Sequence, residues 1–220
     1  SFAIRTFGMP GGEGYLGVCF GRVITANSPA GQAAHPANWQ AMLWHEFCHV
    51  VTLQLTRNRM PRWLSEGISV YEERAQSPVW GQTINPRYRE LILNGELKPI
   101  GELSSAFMGA DDDLHLQFAY YQSYLVVEYI VQKYGQAALE KILRDLAEGV
   151  LINDAIAKNT TKLADLDKDF KDHAKGIAEA LAPKLDWSKP KYIGTGDLDP
   201  AWAAAHPNNY WAMDDAASEL

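Results

Sequence analysis

The chain has 220 residues, 47% hydrophobic and 21% charged, enough for one sizeable domain with a real core, or one domain and an appendage. Its 20 basic residues against 27 acidic ones give a net charge of −7 with no basic stripe, so no nucleic acid partner is expected. The longest apolar runs are far too short to span a bilayer, so no membrane segment is expected in this chain.

The sequence opens on Ser-Phe, without a charged-then-apolar leader, and reads as a mature chain or an excised domain. Cys19 and Cys48 are its only cysteines, and with no CxxC they read as two buried thiols in preference to one disulfide. "FAIRTF" and "YLGVCFGRVITA" read as strands on either side of the turn cluster "GMPGGEG", and "NSPAGQAAHP" reads as a loop. From Asn38 the period becomes helical, with Trp39, Met42, Leu43, Phe47, Val50, Val51 and Leu55 at three- and four-residue spacings. This helix is expected to run to about Thr56 and stop before "RNRMP".

Pro61 opens a second helix at its favoured early position, through "RWLSEGISVYEERA". "PRYRELILNGE" reads as a short helix ended by Gly95, and the stretch up to the acidic triplet Asp111 to Asp113 as irregular or one short helical turn. "DLHLQFAYYQSYLVVEYIVQKYG" reads as a long amphipathic helix with acidic residues at its positive end and Gly135 after its last turn. The triplet itself reads as a cap with solvated charge. "QAALEKILRDLAEG", "LINDAIAKNT" and "TKLADLDKDFKDHAKGIAEALA" supply further helices. The expected organisation is a domain over 1–183 and an irregular, Pro- and Trp-rich stretch over 184–220, read as a tail wrapped on the domain or a linker to a further C-terminal domain.

The stretch "LWHEFCHVVTLQLTRNRMPRWLSEG" carries the chemistry. Four residues apart on a helix, His45 and His49 lie about 40° apart around the axis and one turn apart along it, so both imidazoles reach one point beside the helix. Glu46 leans over the same point, where it can take a proton from an activated water. This is the HExxH arrangement, two zinc ligands and a general base on one helical face. Two histidines are half a tetrahedron, so a third protein ligand is required, leaving one position for water. Glu66, on the helix that follows, is placed to return a carboxylate to the histidines if the two helices are antiparallel.

"HEFCH" followed by "WLSEG" resembles a gluzincin, the zinc peptidase clan that includes thermolysin and aminopeptidase N-like enzymes. "AYYQSYLVVEYIVQKYG" is similar to the tyrosine-bearing helix of the aminopeptidase branch, and "AIAKNTTKLADLDKDF" to a helical segment of related bacterial proteins. The resemblance covers roughly residues 38–172. It implies an α+β zincin-like catalytic domain, a small N-terminal mixed sheet followed by a mainly helical half. It also implies one Zn2+ per chain held by His45, His49 and Glu66, with a peptide or protein as substrate. By the same match Tyr121 is the donor to the oxyanion, with Tyr120 the near alternative because a one-residue shift exchanges them. Only sixteen residues separate His49 from Glu66, slightly fewer than in the best-known members, so the connection between the helices must be tight.

Glu73, seven residues after Glu66 and nearly on its face, is either a partner for a ligand histidine or a surface charge; Glu72 points elsewhere. His115 near the start of the tyrosine helix reads as a surface or capping residue, and His35, His173 and His206 as structural or exposed. Cys48 lies about 60° from His45 on the side away from His49, a place for packing against the sheet. The strand before the helix is either a plain core strand or an edge that pairs with an extended substrate. No clear acidic motif supplies an anionic trap for a substrate α-amine, Glu13 being unsupported, so an endopeptidase is slightly favoured over an aminopeptidase. The alternative to an enzyme is an inactive zincin-fold binding or scaffolding domain.

Overall fold

Strands β1 (Gly17–Phe20) and β2 (Val23–Ala26) pair antiparallel, with Phe20 opposite Val23 and Gly17 opposite Ala26. What reads in the sequence as one long strand is thus a hairpin. Gly21, at φ +62°, takes the left-handed conformation that a two-residue turn requires, and the chain reverses there. The computed structural model describes residues 17–26, 38–109, 112–194 and 197–218. The expected first strand "FAIRTF", Glu13 and His35 lie outside the described residues.

The hairpin packs on α1 (Trp39–Leu55), which Asn38 caps by accepting a hydrogen bond from the Ala41 amide at 3.2 Å. The apolar residues that mark this helix in the sequence are not the ones it buries. Trp39, Phe47, Val51 and Leu55 are exposed, whereas Ala41, Glu46, Cys48 and Thr52 are buried. Arg57 and Asn58, at φ 53° and 58°, close the helix in left-handed conformation, and the Asn58 amide donates to the Leu53 carbonyl at 2.7 Å. Pro61 then leads into α2 (Arg62–Gln76).

α2 is the centre of the domain. It packs on α1 along one side and on α4 (Asp113–Tyr134) along the other, and a 3₁₀ segment (Ile100–Phe107) covers both α2 and α4. Trp63, Leu64, Ile68 and Val70 enter the core with Leu125, Val126 and Ile130 of α4. Each such side chain, fully buried, is worth about 1.5–3 kcal/mol. Between the two lies α3 (Pro86–Leu93), capped by Asn85, whose side chain accepts from the Tyr88 amide at 2.9 Å. Asp112 caps α4 in the same way through the His115 amide, and Gly135 at φ 84° ends it. Helices α5 (Gln136–Ala147), α6 (Ile152–Asn159) and α7 (Leu163–Ala180) complete the core with Ile142, Leu146, Ile156, Leu166 and Phe170. The architecture is α+β, a small N-terminal sheet followed by a mainly helical half. Among the described residues that sheet is one antiparallel pair, and no helix is long and apolar enough to cross a membrane.

The chain divides into two compact units, Ser1–Ala178 and Glu179–Leu220. The second has structure of its own where the sequence suggests irregular chain. β3 (Tyr192–Ile193) and β4 (Asp197–Leu198) form a short hairpin, followed by α8 (Pro200–Ala205) and α9 (Tyr210–Ser218). Asp186 joins Asn208 and Tyr210 through backbone hydrogen bonds, and Trp187 stacks on Tyr210. Short-range aromatic pairing, not helical periodicity, orders this unit, which is why the pattern of apolar spacing is silent about it.

Candidate metal centre

α1 and α2 run antiparallel. His45 on the first turns of α1 meets Ser69 and Glu73 late in α2, while His49 meets Ser65 and Glu66 early in α2. The Nε2 atoms of both histidines face one carboxylate oxygen, Glu66 Oε2, at 3.2 Å from His45 and 3.4 Å from His49. One ligand-type atom from each of the three residues lies within 4.8 Å of the others, and no other such group occurs among the described residues.

The outward nitrogens are held as well. His45 Nδ1 faces Glu73 Oε2 at 3.4 Å. His49 Nδ1 shares hydrogen bonds with Ser65 Oγ at 2.8 Å and Ser69 Oγ at 3.3 Å. Ser69 in turn donates its own proton to the backbone carbonyl of His45 at 3.1 Å, tying the two helices together at the site. Glu73 is thereby a partner of His45 and not a surface charge. Ser65 and Ser69 are not evident from the motif alone. Their signal is periodic: Ser65, Glu66, Ser69 and Glu73 form one polar stripe along the helix, and three of them are buried.

The donor set fits a divalent metal. Two imidazole nitrogens and one carboxylate oxygen converge, and both imidazoles have polar partners on their far nitrogens, as ligand histidines normally do. Electrostatics point the same way. Burial opposes charge on His45, but hydrogen bonds to Glu66 and then Glu73 outweigh it and hold the imidazole up at about 10. Burial likewise opposes the Glu66 carboxylate, and the hydrogen bonds to His45 and His49 overcome it, bringing its pKa down to about 2. The site thus favours positive charge at its centre.

A cleft of about 680 Å³ reaches this cluster at His45. His45, Glu46, Glu73 and Arg62 line it, with Gly17 of β1 on one side and Asp113, Gln117 and Tyr120 of α4 on the other. Burial pushes the Glu46 carboxyl up, and the charges of His45 and His49 and the Cys19 amide pull partly against that. Cys48 is buried and its thiol is raised to about 12 by burial and by Glu72 and Glu73, so α2 carries the charges it feels. His115 stands apart, bridging Asp112 at 2.7 Å and Glu96 at 3.4 Å.

Tyr121, the expected oxyanion donor, is turned into the core. It is 2% exposed, its ring stacks on Tyr88 at 4.9 Å, and burial pushes its phenol up. It is not part of the cleft wall. One residue is about 100° of helical turn, and that step brings Tyr120 to the cleft instead.

The family model of the Peptidase MA superfamily matches residues 19–176, most of the chain and all of the His45, His49 and Glu66 cluster. The chain belongs to that superfamily. Membership in the Peptidase MA superfamily points to a peptidase of the metal-dependent kind, acting on peptides or proteins. Neither curated proteins nor solved structures give a match.

Proposed function

We propose that the chain is a zinc metallopeptidase of gluzincin type, with His45, His49 and Glu66 as the metal ligands and Glu46 as general base. One observation carries this reading: both Nε2 atoms face a single Glu66 oxygen while Glu73, Ser65 and Ser69 hold both Nδ1 atoms from outside. A pair of hydrogen-bonded histidines in an ordinary helix interface has no need of that division.

A bound zinc would polarise the scissile carbonyl and bring the pKa of water towards neutrality. The chain's own residues do the rest. Glu46 takes a proton from the attacking water and passes it to the leaving amine, and its partly buried, raised carboxyl is suited to holding that proton between the two events. Tyr120 replaces Tyr121 as the donor facing the carbonyl oxygen, since its side chain lines the cleft. The β1 segment at Gly17 borders the same cleft, where an extended substrate backbone can pass. Endopeptidase action is favoured. Glu46 and Glu73 are committed to the base and to His45, and Asp113 is exposed, so among the described residues no paired carboxylates close the cleft around an α-amine.

Two measurements test this. Metal content by mass spectrometry on untagged protein purified without chelator should give near one zinc per chain, lost or much weakened in Glu66→Ala. Hydrolysis of a mixed peptide pool should be chelator-sensitive and fall by about 10²–10⁴ in Glu46→Gln, with zinc retained. Equal cleavage by wild type and Glu46→Gln would refute the mechanism.

A further inference from the structure

The geometry points to Arg62 as the residue that positions both Glu66 and Tyr120, linking the metal-binding carboxylate to the oxyanion donor. This inference rests on the function proposed above and adds a residue that the HExxH and EG motifs do not contain. Arg62 is in the first turn of α2 and lines the cleft. Its Nε faces Glu66 Oε1 at 3.6 Å, four residues along the same helix. The other oxygen of that carboxylate, Oε2, is the one that both histidines face. Arg62 therefore separates the two oxygens of Glu66, one turned to the guanidinium and one to the metal centre.

The far end of the same guanidinium reaches Tyr120. Arg62 Nη2 lies 3.5 Å from the phenol oxygen. A guanidinium has five donors and no acceptor, so in this contact the phenol only accepts, and its own proton is not consumed by Arg62. A hydroxyl that accepts from a cation is polarised into a stronger donor, the property an oxyanion partner needs. Phe107 fixes the arrangement from the 3₁₀ segment. Its ring lies 4.9 Å beneath the Arg62 guanidinium, and it meets the Tyr120 ring edge-on at 5.2 Å. Three elements thus meet at one planar cation. A lysine at this position keeps the charge but lacks the fork that spans both partners and the plane that stacks on Phe107.

The test uses Arg62→Lys, Arg62→Met, Tyr120→Phe and the double variant Arg62→Met/Tyr120→Phe. Zinc affinity is measured by competition with a chromophoric chelator, kcat and KM on a fluorogenic casein digest, and folding by circular dichroism. Arg62→Met should weaken zinc binding about tenfold, the lower end of what loss of an outer partner costs, while Tyr120→Phe leaves zinc affinity unchanged. Tyr120→Phe should lower kcat with little change in KM, and adding it to Arg62→Met should cost much less than it does alone. Arg62→Lys should fold, recover most of the zinc affinity and little of the kcat. Unchanged zinc affinity in both Arg62 variants, or full additivity of Arg62→Met and Tyr120→Phe, overturns the inference. If the wild type binds zinc but cleaves nothing, the proposed function fails while zinc affinity still judges Arg62. If the wild type binds no zinc, both fall.

Discussion

Gly67, beside the proposed ligand Glu66, offers a stringent test of how the site is held. It is buried in the middle of α2, where alanine would ordinarily be favoured by about 1 kcal/mol. The structure predicts the opposite sign. A Cβ at this position would stand 2.6 Å from the Ser123 carbonyl oxygen of α4, 2.8 Å from its carbon and 3.0 Å from Val127 Cγ2. Opening the first contact to an ordinary 3.4 Å means moving α2 away from α4 by about 0.8 Å, the difference between the two distances. The obstacle is helix backbone and cannot swing aside. Overpacking of this kind costs about 1–3 kcal/mol. With the helix-propensity gain set against its upper half, the net loss for Gly67→Ala is about 1–2 kcal/mol. For a unit of this size that lowers Tm by roughly 2–8 °C. Because Glu66 is the adjacent residue, the same displacement should weaken zinc binding. Thermal unfolding with and without zinc, followed by chelator competition, measures both. A Tm that rises by a few degrees with zinc affinity intact would mean that α2 and α4 do not approach this closely, and the reasoning would fail.

The outer partners of the histidines make a second prediction: Ser65→Ala and Glu73→Gln should each leave the protein folded and weaken zinc binding by about 10–100-fold, and chelator competition showing wild-type affinity in both would refute their role. A third concerns pH in the metal-free protein. The His45 pKa is raised on folding from 6.5 to about 10, so its contribution is fully present below 6.5 and lost as pH rises through 10. Tm in the presence of chelator should therefore decline between those values, and the decline should shrink in His45→Gln. Glu66, lowered from 4.5 to about 2, contributes above 4.5 and loses its effect as pH falls through 2, so acid should destabilise Glu66→Ala less than the wild type. A metal-free Tm that is flat from pH 7 to 10 would contradict the charge-favouring centre described above.

Much of the helical half can be read from residue spacing, because caps and breakers stand at its element ends. Asn38, Pro61, Asn85, Asp112 and Gly135 bound helices as their chemistry dictates. The pairing of His45, His49 and Glu66 is legible for the same reason: two helices of known period and a short connection leave few ways for them to meet. Which face each helix buries is harder to read. α1 is apolar almost all round, so its stripe of Trp39, Phe47, Val51 and Leu55 does not distinguish inside from outside; what it buries is Ala41, Cys48 and Thr52 on one face and Glu46 on another. Tyr120 and Tyr121 raise the same difficulty in miniature. Both are aromatic, both sit on the tyrosine helix, and only packing against Tyr88 decides which one turns inward. The hairpin at Gly21 is a third case. A glycine within a β-rich run is compatible with a bulge, a close approach or a reversal, and spacing alone does not choose among them.

The proposed third ligand and the polar partners of the histidines all belong to one rod. Ser65, Glu66, Ser69 and Glu73 project from α2 alone, which the short left-handed connection at Arg57 and Asn58 joins to α1. Their alignment is consequently a single variable, the rotation of α2 about its axis. One inserted or deleted residue in that connection that propagated into α2 would turn it by about 100° and carry all four groups away together. Towards such a change of register the centre has no graded failure. Under slippage it assembles or disassembles as a whole, and partial loss of function comes from substitutions that leave the register intact.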